Sequence, residues 1–167
     1  MLCLSIPQPN EVEEPKKMTT RRYLEDFAVG QVFGSDSYAV TVDNIKEFAG
    51  QWDPQFFHVD EVEAEDSFFQ GLAASGWHTA CITMRLLVTG ELRPAGGMIG
   101  AGIEELRWFR PVRPGDVLKV RAEVVDMRAM RSKPGYGIVR MRVETQDHLG
   151  ETVQTFTTPL VVRGRGD

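Results

Sequence analysis

Asp53 and His58 lie five residues apart in the sequence, and a proline directly follows the aspartate. This proline disfavours helical backbone at Asp53, so the short helix that precedes it should end there. A carboxylate and an imidazole on a turn at a helix exit can hold one water molecule between them. Such a pair can add water to an activated double bond, or remove it, by general acid–base catalysis. Only His78 and His148 compete with His58 for the role of base.

A second informative segment is an apolar run from Gly71 to Gly90, with Ser75 and Gly76 near its start. A run that is apolar nearly all round is typical of a buried helix, and Gly90 is a natural residue to end it. Ser75 is expected to cap this helix through its hydroxyl group. The free amides at the helix start favour an oxygen that gains negative charge, and a glycine there admits a substrate closely.

The remaining elements must position these two segments. Helical spacing of apolar residues predicts a helix over 42–52 capped by Thr41, and Asp60 predicts the cap of another helix over about 60–66. Alternating apolar and polar residues predict strands, over about 32–40, 99–109, 117–127, 137–146 and 152–162. Such consecutive strands favour an antiparallel sheet with one face in water. The element order therefore predicts a sheet curled around one central helix.

Length and composition favour one domain with its own core, because the chain has 167 residues of which 42% are hydrophobic. Residues 1–20 are rich in proline and charge and are expected to form a disordered extension, followed by a domain over 21–163 and a tail over 164–167. Cys3 and Cys81 have neither disulfide nor zinc-site spacing, which suits the reducing cytoplasm. The apolar runs are too short for a membrane span, and the first residues lack the features of a signal peptide.

Charge is distributed unevenly along the chain. Residues 1–70 carry 5 basic and 14 acidic side chains, whereas residues 107–142 carry 10 basic and 3 acidic side chains. A partner that bears phosphates would prefer the second region, although lysine and arginine are equally expected on the solvent face of strands. The basic region lacks a recognition motif with interleaved aromatic residues, so nucleic acid is not an expected partner.

Three segments together resemble the MaoC-like acyl dehydratases, relatives of the (R)-specific enoyl-CoA hydratases. They are Asp53–His58; Phe69–His78, which contains Ala-Ala-Ser-Gly-Trp-His; and Phe109–Asp116, which reads Phe-Arg-Pro-Val-Arg-Pro-Gly-Asp. The resemblance covers about residues 23–162. It implies an α+β protein with a single hotdog domain, in which an antiparallel β-sheet is wrapped around a long central α-helix.

The same resemblance implies an enzyme that adds water reversibly to the double bond of an enoyl thioester. The implied site residues are catalytic Asp53 and His58, oxyanion or substrate-positioning Gly76, Gln55 and Ser75, and substrate-binding Phe57 and Trp77. Coenzyme A enters as part of an acyl-CoA substrate, or an acyl carrier protein takes its place. No metal or other cofactor is implied. A homodimer or a dimer-based higher oligomer is expected, with no nucleic acid and no membrane as partner.

Two other functions remain open. A hotdog thioesterase would hydrolyse the same class of substrate, but such enzymes commonly use an acidic residue on or near the central helix, and residues 76–89 contain none. A non-catalytic hotdog protein would bind acyl thioesters without turnover. Each residue also has a structural alternative: His58 as a cap or core residue, Ser75 as a helix cap, and Phe57 and Trp77 as core. The sequence leaves open which of Asp53 and His58 first takes a proton.

Overall fold

A computed structural model describes residues 20–166, so nearly all of the expected extension over 1–20 lies outside the described residues. A short 3-10 helix spans Leu24–Asp26. The α-helices of the described part are α1 Val42–Trp52, α2 Phe56–Val59, α3 Glu61–Glu65 and α4 Gly76–Thr89. Its strands are β1 Val32–Gly34, β2 Tyr38–Ala39, β3 Ile99–Gly100, β4 Glu104–Trp108, β5 Val117–Ala129, β6 Tyr136–Gln146 and β7 Thr152–Arg163.

The strands form one antiparallel sheet in the order β1-β5-β6-β7-β3, with β2 also paired to β5 and β4 to β7. Alternate residues of the three long strands are buried, as at Ala122, Val143 and Phe156, which lie side by side across the sheet. Ile82 and Leu86 of α4 belong to the same buried cluster. The predicted arrangement, a sheet wrapped around one long helix, is therefore confirmed.

Local hydrogen bonds set the limits of the short helices, largely as predicted. The Thr41 hydroxyl caps α1 by accepting from the amide of Asn44 at 3.1 Å. Asp60 caps α3 by accepting from the amides of Val62 and Glu63 at 2.8 and 3.0 Å. Helix α1 ends at Trp52, as the proline at position 54 predicts.

Two predicted strands are interrupted. The strand expected over 32–40 is split into β1 and β2 because the Ser35 hydroxyl, in place of a backbone carbonyl, accepts from the amide of Val120 at 2.9 Å. The strand expected over 99–109 is split into β3 and β4, and its register shifts beyond Glu104, next to Glu105 in the left-handed region with φ 53°. The first interruption depends on a single hydroxyl group, which the hydrophobic pattern does not reveal.

Helix α4 is not buried all round, contrary to the sequence-based expectation. Trp77, Cys81, Met84 and Val88 are exposed and follow one another at helical spacing along one face. The opposite face, which includes Ile82, Thr83 and Leu86, packs into the sheet. No helix in the part of the chain that the structure describes is long and apolar enough to cross a membrane.

Candidate active site

Asp53 and His58 lie next to each other at the junction of α1 and α2. Asp53 is the C-terminal cap of α1 with φ −152° and ψ 67°, and His58 lies on α2, a four-residue helix that the sequence analysis missed. The Nε2 atom of His58 is 3.5 Å from Oδ2 of Asp53, and the histidine is only 5% exposed. The structure therefore brings together the two residues predicted to carry the chemistry.

A backbone carbonyl fixes the tautomer of His58. Its Nδ1 atom lies 2.6 Å from the carbonyl oxygen of Ala73. Because a carbonyl only accepts hydrogen bonds, Nδ1 must carry the proton. In the neutral ring, Nε2 then presents its lone pair to Asp53. Two acceptors at this separation can both receive protons from one water molecule, which is the arrangement of a general base.

Asp53 is held in its ionised form by two neighbours. The Gln55 side-chain amide donates to Oδ1 of Asp53 at 2.7 Å, and the Ser75 hydroxyl lies near this carboxylate. Burial raises the pKa of Asp53, but the Ser75 hydroxyl, the hydrogen bond from Gln55 and the nearby His58 together outweigh burial and hold that pKa below its ordinary value of 3.8. Gln55 thus contacts the dyad directly.

Ser75 connects the dyad to the start of α4. Its hydroxyl oxygen accepts from the amide of Trp77 at 3.2 Å, so Ser75 is the N-cap that its position predicts, and it is fully buried. The amide of Gly76 belongs to the first turn and has no partner within the helix. A substrate oxygen at this amide would lie at the positive end of α4.

The structure gives Gly76 a second reason to be glycine. A Cβ atom at this position would lie 2.6 Å from Cε2 of Trp108, whose indole ring packs on the glycine. The indole N–H of Trp108 donates to the side-chain oxygen of Gln154 at 2.8 Å. Close packing of the indole ring therefore requires a glycine at this position, independently of the predicted approach of a substrate.

The Gln154 side chain belongs to a buried polar network that the sequence analysis missed. Its amide donates to the Thr83 hydroxyl at 3.0 Å, and that hydroxyl lies 2.7 Å from the Thr145 hydroxyl. Gln154, Thr83 and Thr145 are all fully buried. The network joins β6 and β7 to α4, and Gln154 extends it to Trp108, which packs against the start of this helix. Its members occupy ordinary alternating strand and helix positions, so no sequence signal marks them.

The two aromatic residues predicted to bind substrate lie in different surroundings. Phe57 is half-buried, its ring is T-shaped to that of His58 at 4.6 Å, and it also contacts the ring of Phe69 at 5.1 Å. Trp77 is 58% exposed on the free face of α4 and contacts Trp108 at 5.8 Å. Phe57 therefore packs against one side of His58, whereas Trp77 faces away from the core.

His78, in the first turn of α4, is buried against α1. Its ring is stacked on Phe48 with centroids 4.7 Å apart and an interplanar angle of 8°. Within residues 20–166, its Nδ1 atom has no hydrogen-bond partner. Burial lowers the pKa of His78 below the ordinary value of 6.5, which favours the neutral ring.

An apolar cavity of about 250 Å³ lies between the second half of α4 and the strands β3, β6 and β7. Its lining includes Met84, Leu87, Met141, Phe156 and Leu160. Met84 is eight residues beyond Gly76, which corresponds to about 12 Å along a helix. The cavity is therefore separate from the dyad, although it follows the same helix.

Several arginines of the basic region are paired with carboxylates. Arg110 forms ion pairs with Asp116 at 3.1 Å and with Asp147, and these pairs hold two turns together. On the outer face of the sheet, Arg121 pairs with Glu123 at 2.9 Å and Arg140 pairs with Glu104. Arg121 and Arg140 thus fit the alternative expectation for this region, a place on the solvent face of strands.

Comparison with known proteins identifies the family. The sequence profile of the MaoC like domain matches residues 26–147. The chain belongs to the MaoC-like dehydratase family. A MaoC-like dehydratase from Rhodospirillum rubrum is 50% identical in sequence, with a TM-score of 0.84 over 87% of this chain and 99% of that one. The uncharacterized protein YdeM of Bacillus subtilis is 36% identical over 112 residues, which are 67% of this chain and 79% of YdeM.

Two more distant proteins extend the comparison. The mesaconyl-CoA hydratase of Haloarcula marismortui is 29% identical over 139 residues, covering 80% of this MaoC-like chain but only 38% of the hydratase. A Mycobacterium tuberculosis protein with a double hotdog fold is 22% identical, with a TM-score of 0.72 over 88% of this chain and 46% of that one. The second likeness concerns the fold alone, and it confirms the hotdog architecture.

Proposed function

We propose that this MaoC-like protein is an enoyl thioester hydratase, which adds water reversibly to a carbon–carbon double bond conjugated to the thioester carbonyl. One observation carries the proposal: the Nδ1–H of His58 is committed to the Ala73 carbonyl, so the Nε2 lone pair faces Asp53 at 3.5 Å. Both groups can then accept protons from the same water molecule. The name of the related mesaconyl-CoA hydratase supports the same reaction class.

His58 is the residue that takes the proton from water. The pKa of Asp53 is held below 3.8, so its carboxylate is a weak base that orients the water and stabilises the imidazolium. The hydroxide equivalent bonds to the β-carbon as the proton moves to Nε2. His58 then returns this proton to the α-carbon, so that the product gains the elements of one water molecule. The reverse sequence dehydrates a 3-hydroxyacyl thioester.

Negative charge collects on the thioester oxygen while the new carbon–oxygen bond forms. In this proposal the amide of Gly76 donates to that oxygen, and the first turn of α4 adds its partial positive charge. Losing one such donor typically raises a barrier by roughly 2.7–4 kcal/mol. Ser75 and Gln55 act on Asp53, and Phe57 excludes bulk water from one side of His58.

The proposed substrate is an acyl-CoA or an acyl thioester of a carrier protein. Hydration transfers no electrons, and the dyad and the amide of Gly76 supply the acid–base and electrostatic functions. We therefore propose that the reaction needs no metal or redox cofactor, and that coenzyme A enters only as part of the substrate.

The free face of α4 supports a homodimer as the active form. Trp77, Met84 and Val88 are 58%, 43% and 51% exposed on one side of the helix. Trp108 of β4, at the edge of the sheet, is 44% exposed and contacts Trp77. A second copy could cover this apolar surface and pair with β4 at the edge of the sheet. The exposed face of α4 and the free edge of β4 would then both be removed from water. A higher oligomer built from such dimers is also compatible with this surface.

The decisive experiment follows the loss of enone absorbance with a panel of enoyl-CoA thioesters. We expect turnover by the wild type and a loss of about 100- to 10,000-fold in both Asp53→Asn and His58→Ala, with the fold intact. Gln51→Leu, an exposed substitution on α1, is the matched control and should retain full activity. Release of free thiol would instead indicate a thioesterase, and binding without turnover on any chain length would indicate a binding protein.

A further inference from the structure

The segment over 69–75, between α3 and α4, provides the carbonyl that orients His58. It contains no regular secondary structure, and two of its residues, Gln70 and Gly71, have positive φ angles of 52° and 132°. A non-glycine residue in this region persists only where its surroundings hold it in place. The position of the Ala73 carbonyl therefore depends on what holds this segment.

Four hydrogen bonds fix the two peptide groups on either side of Ala73. In the first peptide group, the Leu72 carbonyl accepts from Nη1 of Arg113 at 3.3 Å and the Ala73 amide donates to the Phe57 carbonyl at 3.2 Å. In the second, the Ala73 carbonyl accepts from His58 and the Ala74 amide donates to Val112 at 2.8 Å. Two of these four partners, the carbonyls of Phe57 and Val112, belong to the backbone. Besides His58, the remaining partner is the side chain of Arg113.

That side chain, Arg113, also binds the other end of the segment. Its Nη2 atom donates to the carbonyl of Phe69, so one guanidinium group connects the Phe69 and Leu72 carbonyls. The backbone amide of Arg113 is in turn held by the Asp116 carboxylate at 2.9 Å. Within residues 20–166, no carboxylate lies within 4 Å of the Arg113 guanidinium. Its hydrogen-bonding capacity is thus directed at the segment and not at an ion pair.

We propose that Arg113 is a positioning residue for the hydration reaction: its guanidinium fixes the Leu72–Ala73 peptide group and thereby the ring orientation and the tautomer of His58. The inference rests on the proposed catalytic role of His58. A lysine cannot replace Arg113, because one ammonium group does not present two donors in the planar arrangement that the two carbonyls require. The guanidinium acts on the reaction only through Ala73 and His58.

The test compares Arg113→Met with the wild type by two measurements that do not depend on each other. Nitrogen-15 NMR of the imidazole at alkaline pH should show the Nδ1–H tautomer of His58 in the wild type and a mixture of tautomers in Arg113→Met. Hydration kinetics should show kcat reduced by about 10- to 100-fold with little change in KM, as expected for a misplaced catalytic group. Arg121→Met, on the outer face of the sheet, is the matched control and should behave as the wild type.

Arg113→Lys serves if Arg113→Met does not fold, and kcat should fall in this variant as well. An unchanged tautomer together with an unchanged kcat, in either variant, would overturn the positioning role. A loss of kcat that only follows the unfolded fraction would overturn it too. The NMR result stands even if the wild type hydrates no enoyl thioester, so failure of the proposed function is distinguished from failure of this inference.

Discussion

The indole ring of Trp108 occupies the space in which a side chain at Gly76 would lie. A Cβ atom there would be 2.6 Å from the ring, so Gly76→Ala must displace either the indole or the first turn of α4. We expect a loss of about 1–3 kcal/mol in the free energy of unfolding, together with a lower rate of the proposed hydration reaction. Urea denaturation and initial rates measure the two effects.

A second substitution tests whether the ring causes this effect. In a Trp108→Leu background, the smaller side chain leaves space for the new methyl group. The additional destabilisation by Gly76→Ala should then shrink, as measured by a double-mutant cycle. Equal costs of Gly76→Ala in both backgrounds would show that the contact with Trp108 is not responsible.

Gln55→Leu should make the Asp53 carboxylate easier to protonate. The hydrogen bond from Gln55 helps to hold the pKa of Asp53 below 3.8, so its removal raises that pKa. Carbon-13 NMR titration of the Asp53 carboxyl group should show the carboxylate becoming protonated at a higher pH than in the wild type. Gln51→Leu leaves Asp53 untouched and should reproduce the wild-type titration. A titration of Asp53 in Gln55→Leu that coincides with the wild type would contradict the assigned contact.

His78 should make stability depend on pH. Burial lowers the pKa of His78 below 6.5, so the folded state binds fewer protons than the unfolded state. This contribution is complete above pH 6.5 and is lost as the pH falls from there towards the folded-state pKa. His78→Phe keeps a ring against Phe48 and removes a buried nitrogen that has no partner among residues 20–166. The free energy of unfolding should therefore rise by about 1–3 kcal/mol. Denaturation at several pH values should show a smaller pH dependence in the variant than in the wild type.

Met84→Glu should dissociate the proposed dimer. The new carboxylate would lie in the middle of the apolar face of α4, where burial of a charge without a partner is costly. Light scattering after size-exclusion chromatography should give the mass of a monomer. Val62→Glu, at an equally apolar but distant exposed position on α3, should remain a dimer. A wild-type protein that is already monomeric would exclude this interface.

The sequence predicts best what depends on neighbouring residues. Thr41 and Asp60 could be recognised as helix caps because their partners lie two or three residues away. The end of α1 before Pro54 follows from the same kind of local rule. Resemblance of three segments to one family was sufficient to predict the hotdog fold, which the comparisons confirm.

Contacts between distant residues could not be predicted in this way. The Ala73 carbonyl, Trp108 and Arg113 all act through contacts with residues 15 or more positions away, which the local sequence around each residue does not reveal. The split of the strand over 32–40 depends on the Ser35 hydroxyl and the amide of Val120, 85 positions away. The exposed face of α4 was missed because an apolar helix looks the same whether the sheet or a second chain covers it.

Asp53 and His58 belong to consecutive helices, whereas Phe33 of β1 pairs with Ala122 of β5 across most of the domain. Closing long loops is slow, so the helices that carry the dyad can form early in folding, ahead of the sheet. The Ala73–Ala74 peptide group, however, is anchored to Val112 by a long-range hydrogen bond. During refolding, helical signal should therefore return first, and a correctly oriented imidazole should be among the last features to appear.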